Sequence, residues 1–195
     1  HKVLLITGTP TKTMSEQIMF SEIYSYPMRE AINNNYICDY EIIIPILDLK
    51  KNVLDINIPI ELKDLDNDLT LKSLFLISGM LETGSSRCIV YCGSINECEE
   101  FNKVFNKISN EYHGLTSWTN SITNYTNYND RKNILIDFEN NNEFKFYILT
   151  NVRILNEAVN IIKCDSVFIT KINDNETTAV QRLCRANRLD KNNPN

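Results

Sequence analysis

Apolar positions follow two rhythms along the chain. Short continuous runs, KVLLIT (2–7), YEIIIPIL (40–47), RCIVYC (87–92), FKFYILT (144–150) and SVFIT (166–170), are rich in β-branched or aromatic residues and bounded by polar ones. Runs of that kind read as strands buried on both faces. Between them lie longer segments at helical spacing: LTLKSLFLISGML (69–81), INECEEFNKVFNKI (95–108), NDRKNILIDFEN (129–140) and ETTAVQRLCRANR (176–188). In the second, Cys98, Phe101, Val104, Phe105 and Ile108 fall on one stripe, as an amphipathic helix requires. Strand and helix therefore alternate. Parallel strands need crossovers and helices supply them, so the pattern predicts an α/β fold: an open, mostly parallel sheet with helices on both faces. In such sheets the chemistry sits on loops beyond the carboxyl ends of the strands. Those loops are GTPTK (8–12), GSINE (93–97), NVRILNEAVN (151–160) and KINDNE (171–176), while the charged stretch 48–68 reads as a surface insertion or long connection.

Composition narrows the picture in three ways. The 195 residues suit one well-buried domain, and no apolar run approaches the ~20 residues of a membrane helix, so no membrane partner is expected. The formal charge of −5 argues against a protein that coats nucleic acid by bulk electrostatics; any such contact must be local. The six cysteines form no CxxC pair and neither of the two histidines is near one, which speaks against a zinc site. Cys88 and Cys92 flank an apolar run, as buried thiols do in a reducing, intracellular compartment, and no secretory leader is recognisable before KVLLIT.

One local feature stands against the acidic average. In TTAVQRLCRANR (177–188), Gln181, Arg185 and Arg188 stand at i, i+4 and i+7 of the expected helix. Ala179, Leu183 and Ala186 would then pack on the sheet, with Arg182 projecting sideways. Guanidinium forks match phosphate oxygens bidentately, so the stripe is built like a receiver for a polyphosphate. A solvated helix with surface salt bridges would show the same spacing.

The string itself adds more. QRLCRANR resembles QRxGRxxR, the last signature of superfamily 2 helicases, and other segments match in family order. LLITGTPT (4–11) is similar to the motif that closes the first RecA-like domain, and CIVYCGSINECEEF (88–101) to the one that opens the second. YHG (112–114), with Arg131 and Phe138 after it, resembles the HG...R...F run. ILTNVRILNEAVNIIKCDSVFI (148–169) resembles the segment ending in E-G-x-D-x-P. FSEIYSYPMREAINNNYICDYEI (20–42) is similar to the restriction-type branch found in large DNA viruses, phages and bacterial restriction systems.

The resemblance implies a RecA-like fold and a division into residues 1–19, the end of a first lobe and its linker, and residues 20–195, a second lobe that stops soon after the arginine signature. In this family ATP and Mg²⁺ are clamped between two lobes, and the phosphate-cradling loop and acidic metal motif belong to the first. No GKT, GKS, DEAD or DEAH string occurs here, so this chain alone is expected to hydrolyse no ATP, and it carries no expected metal ligand. Arg185, Arg188 and Gln181 would act on the γ-phosphate. Glu157, Asn160 and Arg182 would face the nucleotide, and Thr7 and Thr9 would couple the lobes. Ser94, His113, Gly114, Thr150 and Asn151 would touch a DNA or RNA strand, in most cases a single strand. Each has a plainer alternative: Ser94 as a helix N-cap, Thr150 as a strand-end turn residue, His113 as a structural histidine. Trp118 would either stack on a base or be buried.

Three departures bear on activity: Ala158 and Cys184 replace glycines, and Asn160 replaces the aspartate that holds the ribose. Besides a helicase or translocase lobe in the cytosol, the nucleus or a viral factory, two readings stay open. One is a degenerate lobe that binds without ATP; the other is the motor of a restriction complex.

Overall fold

The computed structural model describes residues 24–44, 67–112, 114–152, 154–156, 161–171, 176–186 and 188. The chain divides into two compact units, His1–Ile37 and Cys38–Asn195. Outside the described residues lie the expected strand KVLLIT, the loop GTPTK with Thr7 and Thr9, residues 45–66, and the candidates His113, Glu157, Ala158 and Asn160.

Among its described residues the first unit has one short helix, α1 (Met28–Asn33), entered at Pro27, whose carbonyl accepts from Glu30 N (3.0 Å) and Ala31 N (3.1 Å). It ends where Asn35 takes a left-handed φ of 56°, a conformation asparagine tolerates better than most residues.

In the second unit helix and strand alternate: α2 (Asn67–Thr83), β1 (Arg87–Tyr91), α3 (Ile95–Lys107) running into a π-helical turn (Ile108–Tyr112), β2 (Ser117–Ile122), α4 (Tyr128–Asn140), β3 (Phe146–Asn151), a 3-10 turn (Ile154–Asn156), β4 (Ser166–Ile169) and α5 (Glu176–Leu183). The four strands form one sheet in the order β2-β3-β1-β4, and every pairing is parallel. This is the parallel α/β architecture that the alternating pattern predicts, and it is of the RecA-like kind that the resemblance implies. Among the described residues no helix is long and apolar enough to cross a membrane.

Alternation along the strands divides the core in two. Cys88 and Val90 of β1, with Phe146 and Ile148 of β3, meet Leu76, Ile77 and Met80 of α2 and Phe101, Val104 and Phe105 of α3. Ile89 and Tyr91 of β1, with Tyr147 and Leu149 of β3, face the other way, toward Phe138 of α4 and Leu155 of the 3-10 turn. Both central strands are buried along their whole length, which is why they read as continuous apolar runs. At the amino end of the sheet Arg87, 8% exposed, donates from Nε to the Phe138 carbonyl (2.8 Å) and from Nη2 to the Asn142 side chain (2.7 Å). Its guanidinium also stacks on Tyr147 at 4.4 Å, so a cation closes the carboxyl end of α4, where the helix dipole favours one. Asp165 ties β1 to β4 by accepting from Ser86 N (2.7 Å) and Arg87 N (2.9 Å).

One expectation needs correcting, and one strand was not expected. YEIIIPIL does not begin a strand: residues 40–44 are irregular, and Ile42 and Ile44 are 60% and 73% exposed. A strand needs a hydrogen-bonding neighbour, and the described hydrogen bond here is local, from Tyr40 N to Asp39 Oδ1 (2.9 Å). Conversely SWTNSI, too polar to register as a strand, forms the edge strand β2, which is only partly buried.

Candidate functional site

Register brings the carboxyl ends of all four strands level. Tyr91 pairs with Asn151 on one side and Ile169 on the other, and Ile122 pairs with Asn151. Main-chain bonds carry the alignment past the strands, from Cys92 N to Asn151 O (2.9 Å) and from Thr170 N to Tyr91 O (3.1 Å). Thr150 and Asn151 therefore sit at this end, but both are fully buried. The Thr150 hydroxyl donates to Asn120 O (3.2 Å) and accepts from Asn102 Nδ2 (3.1 Å). Asn151 Nδ2 donates to Val90 O (3.2 Å). These side chains hold strand ends and loops together; neither reaches solvent.

The arginine segment lies over the same end, in an arrangement the helical wheel does not anticipate. After Leu183 the chain tightens: Cys184 N still bonds to Val180 O (2.9 Å), but Arg185 N turns back to Arg182 O (3.1 Å) and Ala186 N to Leu183 O (3.3 Å). Arg188 consequently lies past the helix, and Gln181, Arg185 and Arg188 do not form one helical stripe. Leu183, expected to pack on the sheet, is 40% exposed, whereas Arg182 and Arg185 are 5% and 8% exposed. The inward face is the charged one.

Tyr91 is the reason those cations can be inward. The Arg182 guanidinium lies over its ring at 4.7 Å, and the Tyr91 hydroxyl donates to Leu155 O (3.2 Å) and hydrogen-bonds Arg185. A planar, weakly hydrated cation packs on an aromatic face at a desolvated position where an ammonium would not. Burial raises the Tyr91 pKa to about 12 despite Arg185 and Arg182, so the phenol is neutral at physiological pH. Arg188, half-buried, has its pKa held below the usual guanidinium value first by burial and then by Arg185. Three guanidinium groups are thus gathered at the carboxyl end of the central strand, with Glu139 acting on Arg188 in the opposite sense to Arg185. The set fits phosphate oxygens. It does not extend to a metal: no group of three or more His, Cys, Asp or Glu among the described residues could hold one.

A second polar group stands where β1 turns into α3. Ser94 is exposed and caps the helix by accepting from Glu97 N (3.2 Å), so its ordinary N-cap role is realised. Glu97 is 8% exposed; its Oε2 accepts from Gly93 N (2.8 Å) and faces Lys171 at 3.8 Å, while Oε1 faces Lys72 at 3.6 Å. A Cβ on Gly93 would meet Glu97 Oε2 at 3.1 Å, which explains the glycine at this turn.

The remaining candidates separate. Gly114, with a left-handed φ of 61°, precedes β2 and so lies at the amino end of the sheet, away from Ser94, Thr150, Asn151 and the arginines. Trp118, partly buried, packs against Phe138 (6.2 Å) and Tyr147 (6.0 Å). Cys184 is unstrained where the family has glycine: among described non-glycine residues only Asn35 has a positive φ. Tyr91, Glu97 and Lys72 escaped the sequence reading. Tyr91 looked like the end of an apolar run, and only its place at the mouth of the central strand gives it a second role.

The helicase conserved C-terminal domain family matches residues 70–190. The chain belongs to this family. Among solved structures it is similar to the ATP-dependent Type ISP restriction-modification enzyme LlaBIII bound to DNA, with a TM-score of 0.68 and 20% identity over 84% of this chain and 12% of that one. It also shows some likeness to the C-terminal part of the Fun30 ATPase domain (TM-score 0.47, 15% identity, 72% of this chain and 45% of that one). A third is the Pyrococcus furiosus Hef helicase domain (TM-score 0.43, 14% identity, 60% and 22%). At these identities the likeness is one of fold, and the chain spans about an eighth of the length of LlaBIII, 12%. No curated protein matches the chain by sequence.

Proposed function

We propose that this domain is the second lobe of an ATP-dependent helicase or translocase, supplying arginines to ATP held mainly by a first lobe and gripping a DNA or RNA strand. Residues 1–19 then form the trailing part of that first lobe with its linker, and residues 20–195 the second. The observation that carries the reading is the gathering of Arg182, Arg185 and Arg188 around Tyr91 at the carboxyl end of the central strand.

ATP with Mg²⁺ supplies the phosphoryl group and neutralises part of its charge when bound. Arg185, oriented by the Tyr91 hydroxyl, and Arg188, outside the helix and less buried, are the two cations placed to meet terminal phosphate oxygens. Arg182, flattened on Tyr91, orients the other two more than it reaches out. Lobe closure would bring these cations to the phosphates only when both lobes hold their ligands, which ties hydrolysis to the grip on the strand. Arginine of this kind contributes about 10³ to 10⁵ in rate, or about 4 to 7 kcal/mol of barrier.

The test is steady-state ATP turnover. The 195-residue chain alone should hydrolyse no ATP. The full protein containing it should, and Arg185→Ala should lower its kcat by about 10³ or more while leaving the circular dichroism spectrum unchanged. Turnover by the isolated chain that Arg185→Ala abolishes would overturn the division of labour. A full protein indifferent to Arg185→Ala would favour the lobe that binds without ATP.

A further inference from the structure

Beside the carboxyl end of β2, an open depression of about 430 Å³ is lined by Ser121, Thr123, Tyr125, Asp130, Asn133 and Asp137, among others. Its size falls within the ~300–1,000 Å³ of small-ligand sites. It is one strand removed from the site above: Ser121 pairs with Thr150 and Ile122 with Asn151.

Its chemistry is unlike that of the arginine group. No lysine or arginine lines it and two carboxylates do, so a phosphate would be repelled. Hydroxyl, amide and carboxylate groups share the wall with Ile134, and among the described residues the carboxylates lack the third ligand a metal needs. Part of the lining is committed to the loop itself: Thr126 Oγ1 accepts from Thr123 N (2.9 Å), and Asp130 Oδ2 accepts from Asn127 Nδ2 (2.6 Å). The Asp137 carboxylate, the Asn133 amide and the Ser121 hydroxyl make no hydrogen bond with any described residue. Tyr125 stands at the rim, 81% exposed, with Tyr128 just beyond it at 80%. Exposed aromatic rings beside acceptor-rich walls suit a flat, neutral ligand that carries N–H or O–H donors.

We propose that this depression is a nucleoside subsite: an unpaired base stacks on Tyr125, and a donor on the same nucleotide is received by Asp137. An ionised carboxylate only accepts, so the partner must be a base N–H, exocyclic or in the ring, or a ribose 2'-hydroxyl. The inference rests on the strand-gripping reading. It adds to it the side of the strand that faces the protein here, the nucleoside and not the phosphate. Stacking on an exposed ring tolerates any base, whereas the carboxylate discriminates.

The experiment is fluorescence anisotropy of labelled 12-mers with the 195-residue chain. Comparing oligo(dC) with oligo(dU) separates an exocyclic amine, which favours dC, from a ring N–H, which favours dU, and comparing oligo(rU) with oligo(dU) isolates the 2'-hydroxyl. One comparison should show a preference, which names the donor, and Asp137→Asn should bring that ratio close to one. Tyr125→Ala should weaken all three oligomers by about tenfold. Both side chains lie on the surface, so folding should survive, as circular dichroism will verify. If the oligomers bind but neither substitution changes affinity or preference, the subsite is overturned and strand gripping stands. If no oligomer binds, both fall.

Discussion

The two faces of the sheet are built on different terms. On one, α2 and α3, helices of 17 and 13 residues, cover the strands with aliphatic and phenylalanine side chains, and Phe105 packs on Phe101 and Phe146 at 6.1 Å each. On the other, Phe138 is the buried residue of α4, and the cover is completed by arginines lying on tyrosines: Arg87 on Tyr147 near the amino end, Arg182 on Tyr91 at the carboxyl end. The two stacks also differ from each other. Arg87 is engaged by carbonyls at the end of α4, a structural closure. Arg182 belongs to a group of three cations with one phenol at their centre. Aliphatic cover stabilises whatever is bound; guanidinium cover is adequate packing that also responds to an anion. Helical apolar cover is thus heavier on the α2–α3 face, and the buried guanidiniums stand on the other.

The largest effect that would break this comparison is on stability. Phe105→Ala, at a position with no exposure, should lower the unfolding free energy by about 3–5 kcal/mol in equilibrium denaturation. A loss near 1 kcal/mol would mean that the heavier apolar cover of the α2–α3 face does not carry matching stability.

Next in size is a pH effect confined to the other face. Folding raises the Tyr91 pKa from 10.0 to about 12, so between those values the unfolded chain has lost a proton that the folded chain keeps. Stability from this group is complete below pH 10 and falls as pH rises toward 12, by about 2–3 kcal/mol in all. In Tyr91→Phe that component should vanish. Near pH 8 the variant should be less stable by about 1 kcal/mol, for the lost hydroxyl bond. By pH 12 it should be the more stable chain. Urea midpoints at several pH values would show the crossing, and parallel curves would remove Tyr91 from the centre of the arginine group.

How far the sequence foretold this arrangement differs between the faces in the same way. The α2–α3 face was legible because burial of apolar side chains is periodic: the Cys98, Phe101, Val104, Phe105 stripe is the buried side of α3. The arginine face was not legible as geometry. QRLCRANR marked the residues, but a helical wheel presumes that the helix continues. It stops at Leu183, the chain tightens, and Arg182 and Arg185 turn inward while Leu183 turns out. That reversal depends on Tyr91, distant in sequence and hidden in an apolar run. Strand β2 was illegible for a related reason, since an edge strand half-open to water has no need of continuous hydrophobicity. Thr150 and Asn151 were placed at the right end of the sheet, yet strand alternation and two sets of internal hydrogen bonds bury both.

The smallest effect separates local from regional causes. Each face carries one helix with a side-chain N-cap, Ser94 accepting from Glu97 N (3.2 Å) on α3 and Asn127 accepting from Asp130 N (2.9 Å) on α4. Capping depends on the first turn and not on which face the helix covers, so Ser94→Ala and Asn127→Ala should each lower stability by about 1 kcal/mol. Unequal losses would mean that the faces differ even in their local bonding. The pair also tests the grip on the strand. Ser94 is exposed at the carboxyl end of the sheet, and its hydroxyl proton is not used by the cap, which needs only the oxygen as acceptor. If that proton meets a phosphate, Ser94→Ala should weaken binding of a single-stranded oligonucleotide several-fold while Asn127→Ala leaves it unchanged. Equal affinities in the two variants would confine Ser94 to its cap.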